Sequence, residues 1–351
     1  MKSVNEQQLQ MGLDTSGDVT VNPDGSPVPQ AQVIRNVLAQ GQLADRVGVD
    51  FFGVGEHHRP DFAVSAPDVV LAGLATSTER IHLGSAVTVL SSDDPIRVFQ
   101  RFSTINALSN GRAEVVLGRG SFTESFPLFG YKLEDYDQLF ADKLELFSRV
   151  ASEEPFNWNP GDRNPLRNQR VYPETEGGLA RWIAVGGSPE SVVRAAQYKT
   201  PLMLAIIGGP ASRFKPFVDL YHRANRELGN GELPVAVHSP GHIAETDAEA
   251  QEQIVEHWIT NRNKIGRERG WGQASKEQFD QEIKHGSLYV GSPETVAQKI
   301  AKTVSALGVN RFDLKYSNGP LPHEYSMRSI ELYGTEVILR VREILGLKDD
   351  A

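Results

Sequence analysis

IHLGSAVTVLSSDDPIRVFQRFSTINALSNGRAEVVLG, residues 81–118, carries the fold in miniature. Ile81–Val89 is a short apolar run of strand type, and Ala113–Leu117 is another. Between them lies a segment with helical spacing. Asp94 stands ready to cap it, Pro95 suits its first turn, and Ile96, Phe99, Phe102 and Ile105 form one stripe. Asn110-Gly111 supplies the stop. A strand, a helix and a second strand in 38 positions make a unit whose strands run parallel.

The same unit repeats in both directions. Strand-like runs occur at Leu9–Leu13, Asp50–Gly55, Trp182–Val185, Leu202–Ile206, Val235–Val237 and Phe312–Leu314. Helical segments follow near 30–48, 66–78, 136–152, 190–199, 213–228, 246–261 and 326–345. Eight strand–helix units predict an α/β (β/α)8 TIM barrel forming one domain over residues 1–351. A doubly wound open sheet satisfies the same alternation and is the competing architecture. Residues 154–181 and 262–290 lack the repeat and are expected to be insertions; long excursions of this kind tend to be functional or interfacial.

Composition narrows the classes of function. With 45 acidic against 36 basic side chains the formal charge is −9, and no basic block offers a nucleic-acid footprint. Cysteine is absent, which excludes disulfides, thiolate metal sites and cysteine nucleophiles and suits a reducing cytoplasm. No apolar run approaches the ~18 residues of a membrane helix, and MKSVNEQQLQ lacks an apolar signal core. The expectation is a cytoplasmic, soluble protein that binds neither nucleic acid nor membrane.

A parallel barrel places its chemistry at the carboxyl ends of its strands. The residues there are Asp14 after strand one, Glu56, His57 and His58 after strand two, Arg119 after strand four, His238 after strand seven and Lys315 after strand eight. Adjacent histidines point apart, so one of the pair is expected to face the site and the other to be structural. Arg119, set between two glycines, suits a phosphate or the edge of an electron-rich ring. Glu56 is expected to pair with a neighbouring arginine or lysine. Strand five runs into GSPESV, residues 187–192, and a near copy, GSPETV, stands at 291–296. In both, Ser caps a helix, Pro fills its first position and Glu meets the positive end of the helix dipole. A shared helix start is sufficient for both. Only the first follows a strand directly, through Gly186, so its backbone N–H groups are the better placed to hold an anion. His57, His58 and His238 would suit a metal, but no HxH pair follows strand one as a metal-dependent barrel hydrolase would show. That hydrolase is the alternative of another class.

GEHHRPDF (55–62) and the run from Ala66 to Phe122, with VGGSPESVVRAAQ, GSLYVGSPETVAQKI and the C-terminal RFDLKYSNGPLPHEYSMRSIELYGTEVILRVREIL, resemble the bacterial luciferase-like flavin monooxygenases, in a branch of uncharacterised oxidoreductases. The resemblance implies a (β/α)8 barrel with FMN in its mouth. It implies that His57 lies beside the flavin as the catalytic residue. It also implies a non-proline cis peptide at Ala86–Val87, with Thr88 just beyond, supporting the ring. Arg119 would contact the flavin or its phosphate, and Gly187, Ser188 and Ser191 would receive phosphate. Gly118 replaces the reactive cysteine of the light-emitting enzymes, and glycine there is expected only to open space, so light emission is not expected. The chain lacks a nicotinamide-binding GxGxxG after a strand. Reduced FMN is therefore expected from a separate flavin reductase, with O2 and a small organic molecule as the other reactants and a homo-oligomer, a homodimer in the first instance, as the assembly. A deazaflavin in place of FMN, and a non-catalytic flavin-binding role, remain open.

Overall fold

The computed structural model describes residues 9–22, 24–159 and 163–347. The MKSVNEQQ stretch read for a signal, and residues 160–162 of the first expected insertion, lie outside them. Eight strands close a cylinder: β1 (Gln10–Thr15), β2 (Phe51–Val54), β3 (His82–Ser85, resuming at Thr88–Val89), β4 (Ala113–Gly118), β5 (Ala180–Val185), β6 (Leu202–Ala205), β7 (Val235–Ile243) and β8 (Arg311–Lys315). Every neighbouring pair is parallel, and β1 closes the ring by pairing with both β2 (Gly12 opposite Phe51) and β8 (Met11 opposite Phe312). The barrel therefore prevails over the open sheet.

Helices α1 (Gln30–Arg46), α2 (Pro67–Ala75), α3 (Pro95–Leu108), α4 (Tyr136–Val150), α5 (Pro189–Gln197), α6 (Lys215–Glu227), α7 (Asp247–Arg269) and α8 (Pro293–Leu307) wrap the barrel. A last helix, α9, runs His323–Leu332, passes a π turn at Tyr333–Val337 and ends with Ile338–Leu345. The cap read at α3 is made: the Asp94 carboxylate accepts from the N–H of Ile96 at 2.9 Å and of Arg97 at 3.1 Å. Val98, Phe99, Phe102 and Ile105 of α3 are buried and give the outer face of β4 apolar cover.

Inside, the cylinder floor is charged. Buried Arg311 donates to Asp313 at 2.9 and 3.1 Å and to Glu114 at 2.7 Å, and Glu114 also accepts from Trp182 Nε1 at 2.9 Å. The guanidinium lies 3.4 Å from the centre of the Phe51 ring. Gly12 is obligatory beside it, because a Cβ would stand 2.0 Å from Asp313 Oδ1. A buried charge set of this kind holds only when its members satisfy one another.

The two insertions differ from expectation in detail. Residues 154–181 contain an antiparallel hairpin, Phe156–Trp158 with Leu166–Gln169. The helix expected to stop near residue 261 runs on to Arg269, where Gly270 closes it in the left-handed conformation, φ 69°. A second helix, Lys276–Lys284, and a short strand, Tyr289–Gly291, complete the excursion. That strand pairs in parallel with the end of β7, Gly241–Ile243. GSPETV therefore does follow a strand, contrary to the sequence expectation. Two residues, Tyr289 and Val290, before a glycine were too short a run to show it. Ala250, Ile254, Phe279, Leu288 and Val290 give the excursion its own small core.

Candidate active site

A cavity of about 450 Å³ opens at the carboxyl ends of the strands. His57, Ala86, Val87, Arg119 and Ser191 all line it, as do Asp14, His238 and Lys315 from the far side of the barrel. Thr88, Gly187 and Ser188 do not.

The His57 ring lies 4.3 Å from that of Phe62 and 5.1 Å from that of Phe122, centre to centre. Burial, reinforced by the positive charge of Lys315, pushes its pKa down to about 4. The imidazole is uncharged at neutral pH, so it offers one donor and one acceptor, not a cation. His58 turns away, as adjacent side chains should, and its Nε2 pairs with Glu56 Oε1 at 2.8 Å. The other Glu56 oxygen accepts from the N–H of Val89 at 2.9 Å. Among the described residues Glu56 therefore pairs with His58 and not with an arginine or lysine; it clamps β3 where the strand resumes.

The peptide between Ala86 and Val87 is cis. Three glycines make room for this bulge. A Cβ on Gly53 would come within 2.9 Å of Ala86 Cβ, one on Gly55 within 3.0 Å of Ala86 O, and one on Gly118 within 2.6 Å of Val87 Cγ2. Gly118 thus does more than open space: any side chain there would strike Val87. Thr88 faces a separate cavity of about 380 Å³ shared with Glu56 and His58, and its buried Oγ1 has no hydrogen-bond partner among the described residues.

Arg119 donates to Asp137 at 2.5 Å and lies 5.0 Å over the ring of Tyr136. At the end of β5, Gly186 faces the cavity with nothing within 4 Å of where a Cβ would stand. Gly187 has φ 112°, and its Cβ position points at Phe214 and Phe217 instead. Ser188 Oγ accepts from Ser191 N–H at 3.4 Å and donates to Glu190 at 2.7 Å. The cavity-facing part of the turn is therefore Gly186 and Ser191, with Ser188 capping from behind.

Opposite, His238 Nδ1 meets Asp14 at 2.6 Å. Burial works against a charge on that ring, but the Asp14 carboxylate prevails and holds its pKa above the ordinary value. Burial likewise drives Asp313 up to about 6 despite Arg311. Asp18, buried too, is held below the usual carboxylate range by Lys315, Ser317 and the N–H of Gly319. The C-terminal half of α7 roofs this side. Arg59 reaches Glu268 at 2.6 Å, Lys264 reaches Asp61 at 3.1 Å and Arg269 donates to Ser121 O at 2.7 Å. Trp258, Asn261, Arg262 and Trp271 from this roof line the cavity and were not singled out from the sequence. A charged helix of low amphipathicity gives no signal of which face meets a ligand. Among the described residues no group of three His, Asp or Glu stands in a metal-holding arrangement; His57, His58 and His238 point to different neighbours.

Residues 16–311 match the family model described as luciferase-like monooxygenase. The chain is 26% identical over 237 residues to the 4-hydroxyprotoasukamycin monooxygenase of Streptomyces nodosus subsp. asukaensis, covering 64% of this chain and 63% of that one. Among solved structures, monooxygenase RslO1 from Streptomyces bottropensis superposes with TM-score 0.81 at 21% identity, over 94% of this chain and 99% of that one. The oxygenating constituent of 3,6-diketocamphane monooxygenase from Pseudomonas putida, in complex with FMN, gives 0.75 at 18%, over 94% and 98%. The coenzyme F420-dependent tetrahydromethanopterin reductase from Methanopyrus kandleri gives 0.70 at 18%, over 95% and 99%. These structural likenesses concern the barrel.

Proposed function

The chain belongs to the luciferase-like monooxygenase family, and from that premise we propose that it is an FMN-dependent monooxygenase that takes reduced flavin from a separate reductase and oxidises a small organic substrate with O2. The observation that carries this reading is the pairing, in one cavity, of the Ala86–Val87 bulge with the open helix end at Gly186 and Ser191. A flat ring and a phosphate on one molecule require such a pair. The glycines around the bulge leave a backbone surface for the ring to rest on. The N-terminus of α5 faces the phosphate with partial positive charge, and Arg119, whose partner Asp137 is exposed and therefore weakly held, adds a full one.

FMN, when bound, supplies the electrons that activate O2; the chain supplies position and dryness. His57, uncharged, would offer one donor and one acceptor to the bound ring or its substrate. Phe62 and Phe122, both packed against that imidazole and 6.0 Å from each other, keep water from it. The Asp14–His238 pair presents a proton-bearing group on the opposite wall.

Calorimetry with FMN, riboflavin and F420 tests the assignment. FMN should bind one per chain and more tightly than riboflavin. Equal affinity for the two would remove the phosphate site, and a preference for F420 would replace the cofactor. An NMR titration of the His57 ring should show no midpoint between pH 8 and 5, since burial depresses its pKa to about 4; a midpoint near the ordinary value of about 6.5 would mean a wet ring and a different role.

A further inference from the structure

We propose that the half of the cavity under α7 receives an organic anion, a carboxylate or similar oxyacid group on an apolar body, and that Arg262 is the residue that holds its charge. The proposal rests on the cavity being the flavin and substrate site argued above, and it names the class of substrate that site takes.

The charged groups around the cavity are accounted for one by one. Asp14 is paired with His238, Asp18 with Lys315, and Asp313 with Arg311. Glu56 is paired with His58, and Arg119 with Asp137. Arg269 gives an N–H to Ser121 O. Arg59, close by at the mouth, has Glu268 and Glu124. Arg262 stands apart. Among the described residues it has no carboxylate or carbonyl partner, and its contacts are two indoles: its guanidinium carbon lies 5.7 Å from the ring centre of Trp258 and 4.7 Å from that of Trp271.

That environment has a chemical meaning. Aromatic faces attract a guanidinium and restrain its plane, but they do not use its N–H groups. Arg262 is therefore oriented and still able to donate, the state in which a planar fork grips a carboxylate with two parallel bonds. Trp271 is 42% exposed, a large apolar side chain kept at the rim beside that cation. Met203, Ile207, Pro240 and Ile265 line the cavity with it and suit an apolar body. Against Asp14, Asp18 and Asp313 lie His238, Lys315 and Arg311, so these floor acids oppose an incoming anion less than bare carboxylates would. The position also separates this site from the proposed phosphate site. Arg262 belongs to the helix after β7, whereas Gly186 and Ser191 follow β5, with β6 between them.

The test uses ω-phenylalkanoates with acid chains of two to six carbons, each against its own primary amide, titrated into flavin-free and FMN-loaded protein. At least one acid should bind tenfold or more tighter than its amide, the order expected of a charge-assisted bond to arginine (roughly 10- to 100-fold). Arg262→Gln should abolish that preference while leaving melting temperature and FMN affinity in place, and Arg262→Lys should retain part of it. No acid outbinding its amide, or an acid preference that survives Arg262→Gln, overturns the proposal. So does a variant that loses FMN affinity and keeps the acid preference, which would give Arg262 to the flavin phosphate. Acid preference in protein that fails to bind FMN would uphold the anion site and refute the cofactor assignment, so the two failures can be told apart.

Discussion

GSPESV at residues 187–192 opens α5 with Ser188 Oγ accepting from the N–H of Ser191 at 3.4 Å, and GSPETV at 291–296 opens α8 with Ser292 Oγ accepting from the N–H of Thr295 at the same distance. Both follow a strand and both have Pro at the first helical position. The helix ends then diverge. At α8 the Asp247 carboxylate sits on the helix start, accepting from Ser292 N–H at 2.7 Å and from Thr295 Oγ1 at 3.0 Å. Burial opposes the charge there, but these bonds hold the carboxyl below its ordinary range. At α5 no carboxylate from elsewhere in the chain does this among the described residues, and the turn faces the cavity. A helix N-terminus attracts an anion wherever it lies. One copy has its anion built in, and the other is the proposed seat of a ligand's phosphate.

The sharpest break would come from bulk at the filled end. Gly291→Val places a Cβ 2.7 Å from Asp247 Oδ1 and 2.9 Å from Thr295 Cγ2. It should cost about 3 kcal/mol of stability by overpacking, seen in urea unfolding, and leave FMN affinity alone in whatever remains folded. A variant as stable as the parent would mean that the two ends are equally roomy. At the open end the better site for bulk is Gly186, not Gly187, whose Cβ would point toward Phe214 and Phe217. Gly186→Val should weaken FMN at least tenfold, about 1.4 kcal/mol, with the melting temperature held. Unchanged FMN binding would take the phosphate away from this turn.

Asp247→Ala should cost about 1 kcal/mol, as lost caps on exposed helix ends do. In the parent that stabilisation is complete above the unfolded carboxyl pKa of about 4 and fades as pH falls through the lower folded value. A parent and variant whose stability difference persisted at pH 2 would show that charge is not involved. Last, Ser188→Ala and Ser292→Ala should differ little, each costing about 0.5 kcal/mol, since the caps are equally long. A large excess for either would mean that the shared capping role is not shared.

Much of the barrel was legible in advance because each strand–helix unit carries its own signals. The Asp94 cap, Pro95 and the Phe99–Phe102 stripe of α3 are local in sequence and local in space. The extension of α7 to Arg269 was not, because polar helices without a stripe give no end signal before Gly270. The strand at Tyr289–Gly291 was missed because its pairing partner, the end of β7, lies 48 positions away. In the candidate site, His57, Ala86, Val87, Arg119 and Ser191 follow from strand ends together with the family resemblance, and all five line the cavity. The displacement of the proposed anion contact from Gly187 and Ser188 to Gly186 was not legible. It turns on one backbone angle, φ 112° at Gly187.

The sequence by itself determined the eightfold alternation, the absence of thiol chemistry and the identity of the strand-end residues, because periodicity, composition and capping act over a few neighbours. Only the tertiary structure decided which charges stay free. Asp247 and Ser292 are 45 residues apart, Arg59 and Glu268 are 209 apart, and Asp14 and His238 are 224 apart. Each pair removes a charge or a donor from the list of candidates, and none is visible until the barrel closes. Arg262 and the turn at Gly186 matter for the converse reason: closure brings them to the cavity and, among the described residues, brings no carboxylate with them.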